Sequence, residues 1–364
     1  MKWIDLDTPA VLIDLDVMER NLTRLAEYSK QKKLNLRPHT KTHKIPGLAE
    51  AQIAQGARGV TVAKIGEAEV MAAAGINDIM VAYPIVGEHK AERLAKLAQS
   101  TRISVSLDSE SSAKDISRAA HKAGVNISIL VEIDVGFHRC GISDESQVLN
   151  LAQKVVELQG LELKGLMFYP GHFLVVPEKQ MEMLADVNAQ LDRIYEIFER
   201  ASVPIPVVSG GSTPTAYISH LFHGVNEIRP GMYLFNDRNM LGAEVTTVEN
   251  CALSVLVTVV SDAVSGQVIV DGGTKTFSSD RYLAGDGKGF GMVKEDLAAM
   301  LVTMSEEHGQ LDRSNSRRIY RIGEKLSVIP NHVCTTINMH DVIYGIRGEQ
   351  VVEQWEVKAR GRVN

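Results

Sequence analysis

A (β/α)8 TIM barrel followed by a C-terminal antiparallel β domain is the α/β fold that this 364-residue sequence predicts. Three observations predict it. Short apolar β-rich runs alternate with amphipathic helical patterns through the first two-thirds of the chain. That alternation stops near Phe235, where β-branched runs joined by Gly-rich and polar connections take over. The length also exceeds the ~250 residues of a barrel by enough for a second, smaller domain.

The candidate strands of the first part begin near Val11, Leu36, Gly59, Asp78, Ile103, Ile127, Leu163, Val207 and Glu227. Most are nearly continuous in Val, Ile and Leu, as parallel strands buried on both faces should be. The segments between them read as helices. The first is introduced by Asp16 with Glu19 three residues on, a capping-box pattern, and has Met18, Leu22 and Leu25 as its apolar face. Another spans about 178–200, with Leu184, Val187, Leu191, Ile194 and Phe198 at helical spacing. Repeated strand–helix units mean a parallel sheet, either doubly wound or closed. Eight strands from Leu36 onward close a barrel and leave the first as an extra. No Gly-x-Gly-x-x-Gly turn follows that first strand, which counts against a doubly wound dinucleotide-binding domain. The barrel is assigned to 16–234 and the β domain to 235–364, with 1–15 preceding the barrel. In the β domain, runs 252–260, 267–271, 317–322 and 325–329 read as strands, and the end of the chain as a hairpin turning at Gly348–Glu349.

Composition narrows the function. With 45% hydrophobic and 23% charged residues, the chain can build its core without staples. A net charge of -6 argues against nucleic acid or an anionic membrane as the partner. Three cysteines, at 140, 251 and 334, make no disulfide framework and fit a reducing compartment. The N-terminus lacks an apolar signal core, and the apolar stretch 251–260 is well short of the ~20 residues that span a bilayer. A cytoplasmic protein acting on a small molecule is expected.

Four segments fall where strands end, and the C-terminal mouth of a barrel is where its chemistry is built. LRPHTKTHK, 36–44, gathers Arg37, His39, Lys41, His43 and Lys44. Alternation along a strand would put Arg37, His39, Lys41 and His43 on one face. A lysine among cations has a lowered pKa and more free amine for Schiff-base formation, while the plain alternative is a solvated basic loop. SGGSTPT, 209–215, offers Gly211, Ser212 and Thr213 to a phosphate, and RPGMY, 229–233, supplies the companion loop with Gly231, Met232 and Tyr233. Barrel phosphate sites are often built by the loops after strands seven and eight, which these are. EIDVGFHRCG, 132–141, presents Arg139, either in an ion pair with Asp134 or Glu132 or as a hydrogen-bond donor to a cofactor oxygen. PNHVC, 330–334, places His332 and Cys334 two apart, one face of a strand, where an imidazole and a thiolate suit zinc. Tyr169, in FYPGH, can contact a cofactor ring, and His172 just beyond it can serve as an acid or base; either can equally be structural.

Together, RPHTKTHK, DVGFHRCG, GGST, RPGMY and PNHVC followed by Asn338-Met339-His340-Asp341 resemble the D-threonine aldolase and D-serine dehydratase family. That family belongs to the alanine-racemase-like, fold-type III pyridoxal-phosphate (PLP) enzymes. The resemblance runs from Asp7-Thr8-Pro9 to the terminal KARG. It implies PLP on Lys41 with His39 beside it, phosphate at the GGST and RPGMY loops, and Arg139 near a cofactor oxygen. It implies a divalent metal, zinc or manganese, on His332 and Cys334, a homodimer, and a β domain that takes in the N-terminal strand. The activity implied is that of a lyase on D-β-hydroxy amino acids. His-x-Cys leans toward a dehydratase, whereas DTPAVLIDLD and FYPGH lean toward an aldolase, which is placed first. His43 and His172 are the candidate bases for the aldol route. A racemase would need no metal, and a non-catalytic PLP carrier would need no β domain.

Overall fold

The computed structural model describes residues 1–285 and 287–364. The chain starts with β1 (Ala10–Asp14) and α1 (Leu15–Gln31). The cap of α1 is Asp14, whose carboxylate accepts from Val17 N at 3.1 Å. Asp16 and Glu19 pair with Arg347 instead, so the expected capping box does not form.

Six strand–helix units and the two strands that complete the ring come next. They are β2 (Asn35–Leu36), α2 (Pro46–Ala54), β3 (Val60–Val62), α3 (Ile65–Ala73), β4 (Asp78–Val81), α4 (Glu88–Leu97), β5 (Arg102–Leu107) and α5 (Glu110–Ala123). Then follow β6 (Ile127–Ile133), α6 (Glu145–Glu157), β7 (Leu161–Phe168), α7 (Pro177–Arg200), β8 (Val207–Gly210) and β9 (Glu227–Ile228). All eight strands pair in parallel, in the order β2-β9-β8-β7-β6-β5-β4-β3. The ring closes between β2 and β3, where Arg58 N donates to Leu36 O at 2.8 Å and Thr61 N to Pro38 O at 2.7 Å. Met80, Leu130 and Met167 form a buried apolar layer contributed by β4, β6 and β7.

One glycine sets the geometry of this wall. Gly165 in β7 has φ +141°, and β7 shifts register against β6 between Ile129 and Leu130. A Cβ at Gly165 would lie 1.9 Å from the carbonyl oxygen of Val207 in β8. Because both partners are sheet backbone, neither can move aside. Gly165→Ala should lower stability by about 3 kcal/mol, read as a lower urea midpoint at unchanged slope.

After α8 (Arg238–Gly242) the second sheet assembles from β10 (Leu253–Ser261), β11 (Val268–Val270), β12 (Gly291–Val293), β13 (Met300–Met304) and β14 (Gly309–Asp312), with α9 (Thr274–Phe277) after β11. It is completed by β15 (Lys325–Pro330), α10 (Val333–Asn338), β16 (Val342–Arg347) and β17 (Gln350–Glu356). Its order is β11-β14-β13-β12-β15-β10-β1-β16-β17, and β10 also pairs with β11. β1 lies in this sheet, antiparallel to β10 and parallel to β16. The β16–β17 hairpin turns at Gly348–Glu349 as expected. The run 317–322 is not a strand. Its side chains are fixed one by one, Arg318 on Glu324 and Tyr320 on Asp296, with Ile319 and Ile322 exposed. No helix among the described residues is long and apolar enough to cross a membrane.

Candidate active site

A cavity of about 440 Å³ opens at the C-terminal ends of the barrel strands, within the usual range for a small-molecule site. The basic segment enters it by an unexpected route. β2 stops at Leu36, and Thr40–Thr42 form a turn of 3-10 helix rather than strand. Thr40 and Thr42 are buried, and Thr40 Oγ1 donates to Thr61 O at 3.1 Å. The tight turn therefore holds its two threonines inward and presents Lys41 to the cavity. Lys41 Nζ stands 5.9 Å from the centroid of the Tyr169 ring, and the guanidinium of Arg139 stands 4.8 Å from the same centroid. Arg139 is not in the ion pair weighed from sequence, since Asp134 is taken by the His138 side chain and backbone.

His39 also lines the cavity, and its Nδ1 accepts the Lys41 backbone N–H at 3.5 Å. Burial, with the charges of Lys41, Arg229 and Arg139, holds its pKa well below the ordinary histidine value. His39 is thus a neutral imidazole beside the amine.

The two glycine loops meet beside Lys41's turn, where His39 N donates to Pro230 O at 3.0 Å. Gly211 has φ +92°, and a Cβ there would lie 2.6 Å from Ser219 Oγ. A Cβ at Gly231 would lie 2.6 Å from Thr42 Oγ1 and 2.8 Å from His39 O. Thr213 Oγ1 joins the loops by accepting from Gly231 N at 3.2 Å and Met232 N at 3.0 Å. Side-chain-free backbone with hydroxyls from Ser212 and Thr213 is what a phosphate cradle needs. An amine, a neutral imidazole, an aromatic face and this cradle in one cavity fit PLP.

The β domain completes the cavity with His332 and Cys334. These residues are not on a strand: β15 ends at Pro330, and His332 is the residue from which α10 starts. The extended His332 and the first turn of the helix bring the two side chains together. Burial opposes charge on both, but each holds the other. The His332 pKa stands well above its ordinary value through Cys334 and Asp237, and the Cys334 pKa falls through His332, Lys41 and Thr42. An imidazole and a ready thiolate side by side are the donors zinc prefers. Asp237, fully buried, sits 3.3 Å from His332 Nδ1 and accepts from Val333 N at 3.1 Å. A carboxylate on one ring nitrogen leaves the other free for a metal. Among the described residues no group of three or more His, Cys, Asp and Glu is arranged as a metal cage.

Three sequence candidates are not brought to the cavity. His43 is fully buried, with Nδ1 accepting from Ile45 N at 3.0 Å and Nε2 at 3.2 Å from Gln52 Oε1. Gln52 in turn donates to the Tyr233 hydroxyl at 3.1 Å, so Tyr233 belongs to this interior network and not to the cavity face of the 229–233 loop. Burial lowers the His43 pKa to about 4, which keeps the ring neutral but leaves it no path to a substrate. His172 meets Phe173 edge-on with centroids 4.8 Å apart, and its buried Nδ1 has no hydrogen-bond partner among the described residues. Sequence reasoning also missed cavity residues. Arg229 and Glu132 stand at strand ends inside motifs already quoted, RPGMY and EIDVG, and both are buried in the wall. Their signal was a charged residue closing an apolar strand run.

Residues 13–239 match the family model of the alanine racemase N-terminal domain, and residues 252–346 match a putative serine dehydratase domain. The chain is 33% identical to D-threonine aldolase of Arthrobacter sp over 98% of its length and 93% of that protein. It is 33% identical to D-threo-3-hydroxyaspartate dehydratase of Delftia sp. (strain HT23) over 97% of each. The crystal structure of D-threonine aldolase from Filomicrobium marinum matches with a TM-score of 0.94 at 33% identity, covering 100% of this chain and 98% of that one. Fold and site thus define an alanine-racemase-like, fold-type III PLP enzyme. Within that class the chain belongs to the D-threonine aldolase and D-serine dehydratase family, and it is a PLP-dependent lyase.

Proposed function

We propose that this chain is a PLP- and metal-dependent lyase that cleaves D-threonine and related D-β-hydroxy amino acids between Cα and Cβ, giving glycine and an aldehyde. The observation that carries the reading is that the Lys41 amine and the His332–Cys334 pair open onto one cavity. When bound, PLP supplies an electron sink for the pair left on Cα, and the metal lowers the pKa of the hydroxyl it contacts. Residues 16–234 form the cofactor-binding unit, and 235–364 with 1–15 the unit that brings the metal ligands.

The chain's own residues divide the work. Lys41 would hold the cofactor through Nζ, and its freed ammonium would supply Cα with a proton in place of the one that the β-hydroxyl gives up to water. His39, Arg139, Tyr169, Gly211, Ser212, Thr213, Gly231 and Met232 orient the cofactor. Neutral His39 adds no positive charge beside the amine. His332 and Cys334 hold zinc or manganese, with Asp237 fixing the His332 ring. D-threo-3-hydroxyaspartate dehydratase with a cysteine replaced by alanine is known in a metal-free form, which supports a metal in this family. The three free thiols support a reducing, cytoplasmic setting. The family resemblance supports a homodimer, and a monomer mass by light scattering would overturn that.

Cys334 favours a second reading. With Lys41 removing the α-proton rather than returning it, the same site expels the β-hydroxyl and yields a keto acid and ammonia, as a D-serine or D-threonine dehydratase does. Incubation with D-threonine separates the two. Glycine plus acetaldehyde is the expected result, and 2-oxobutanoate plus ammonia would establish the dehydratase.

A further inference from the structure

A buried polar relay crosses the barrel interior from one cavity to the other. At the N-terminal ends of the strands a second cavity of about 470 Å³ is lined by Arg37, Asp78 and Glu227. Arg37 donates from Nη1 to Asp78 Oδ1 at 2.5 Å and from Nε to Glu227 Oε2 at 2.9 Å. The other oxygen of Glu227 accepts from Ser209 Oγ at 2.7 Å. Ser209 Oγ accepts from Arg229 Nη1 at 2.5 Å, and Arg229 Nη2 donates to Phe168 O at 2.8 Å. Arg229 then lines the cavity that holds Lys41. Even Gly59 conforms to the relay, since a Cβ there would lie 2.7 Å from Arg37 Nη1.

Ser209 has one hydroxyl proton. Because that proton goes to Glu227, only the oxygen lone pairs remain for Arg229, and the direction of both hydrogen bonds is fixed. Stability alone is a weak reason for such an arrangement, since a buried ion network is often no more stable than an apolar replacement. What it does accomplish is to orient one guanidinium. Glu132 makes the need visible. Its Oε2 is buried and carries no hydrogen bond among the described residues, it lines the same cavity, and its charge acts on Arg229. A guanidinium released from Ser209 has that oxygen to turn to.

We propose that Ser209 and Glu227 are positioning residues that hold the Arg229 guanidinium toward the cofactor cavity, with Arg37 fixing Glu227 from the opposite mouth of the barrel. This rests on the cavity being the PLP site. The test is a double-mutant cycle read by PLP titration of the cofactor-free protein and by the absorbance spectrum of the bound cofactor. Ser209→Ala should raise the Kd for PLP about tenfold and move the absorbance maximum. Arg229→Lys, which keeps charge but not the two-pronged geometry, should do at least as much. The double variant should be no worse than Arg229→Lys alone. Unchanged Kd and spectrum in Ser209→Ala, or full additivity in the double variant, would overturn the proposal. If Ser209→Ala does not fold, Glu227→Gln carries the same test, with a smaller change in the same direction expected and no change contradicting it. Wild-type protein that binds no PLP would remove the cavity assignment and the proposal together. Wild-type binding with a silent Ser209→Ala removes the proposal alone.

Discussion

Lys41→Ala should abolish turnover, by about 10³-fold or more, and should remove the visible absorbance of the protein-bound cofactor. On the proposed function the substitution deletes both the covalent anchor and the group that moves the Cα proton, and a positioned acid or base alone is worth about 10²–10⁴-fold. The protein should nevertheless fold normally. The turn that presents Lys41 is held by Thr40 and Thr42, both buried, and by the Lys44–Glu67 ion pair at 3.1 Å. Lys41 itself is only half-buried and, among the described residues, makes no side-chain hydrogen bond on which the turn depends. Its melting temperature should therefore match that of the parent. An unchanged spectrum in a folded Lys41→Ala variant would mean that the cofactor sits on another lysine.

His332→Ala should cost about 10²-fold or more in turnover while leaving PLP bound. The residue starts α10 without capping it through its side chain, and Asp237 still holds Val333 N, so the helix should survive. The two variants therefore separate the site into halves. Loss of Lys41 removes the cofactor signal, and loss of His332 removes the metal but keeps that signal. Metal content by elemental analysis should fall with His332→Ala and stay unchanged with Lys41→Ala. Full activity in His332→Ala would remove the metal from the account.

The barrel was legible in the sequence because parallel strands buried on both faces write themselves as unbroken apolar runs. All nine early strands begin within two residues of where those runs place them. The β domain was less so. β12, β13 and β14 are short and partly exposed, and they carry Gly291 and Gly309 where other backbone passes close, so they show neither long runs nor clean alternation. The run 317–322 has the composition of a strand, but its residues are anchored singly to Asp296 and Glu324.

In the site, residue types were legible and directions were not. Strand alternation predicts that His43 points where Lys41 points. A 3-10 turn advances ~120° per residue, so positions two apart diverge, and His43 is directed into the Gln52–Tyr233 network. The opposite happened at His332 and Cys334. A strand was expected to align them, and a helix start did so instead. Arg229 went unnoticed, and Glu132 was weighed only as an ion-pair partner, because a charged residue beside an apolar run reads as the strand's solvated end. In a barrel mouth that end faces the cavity.

The central claim is that the cofactor is carried by residue 41. Borohydride reduction of the PLP-loaded enzyme, followed by proteolysis and peptide mass spectrometry, tests it most directly. A phosphopyridoxyl group on the lysine between Thr40 and Thr42 is the result expected. The same group on Lys44 or Lys64, or on no lysine at all, would contradict it.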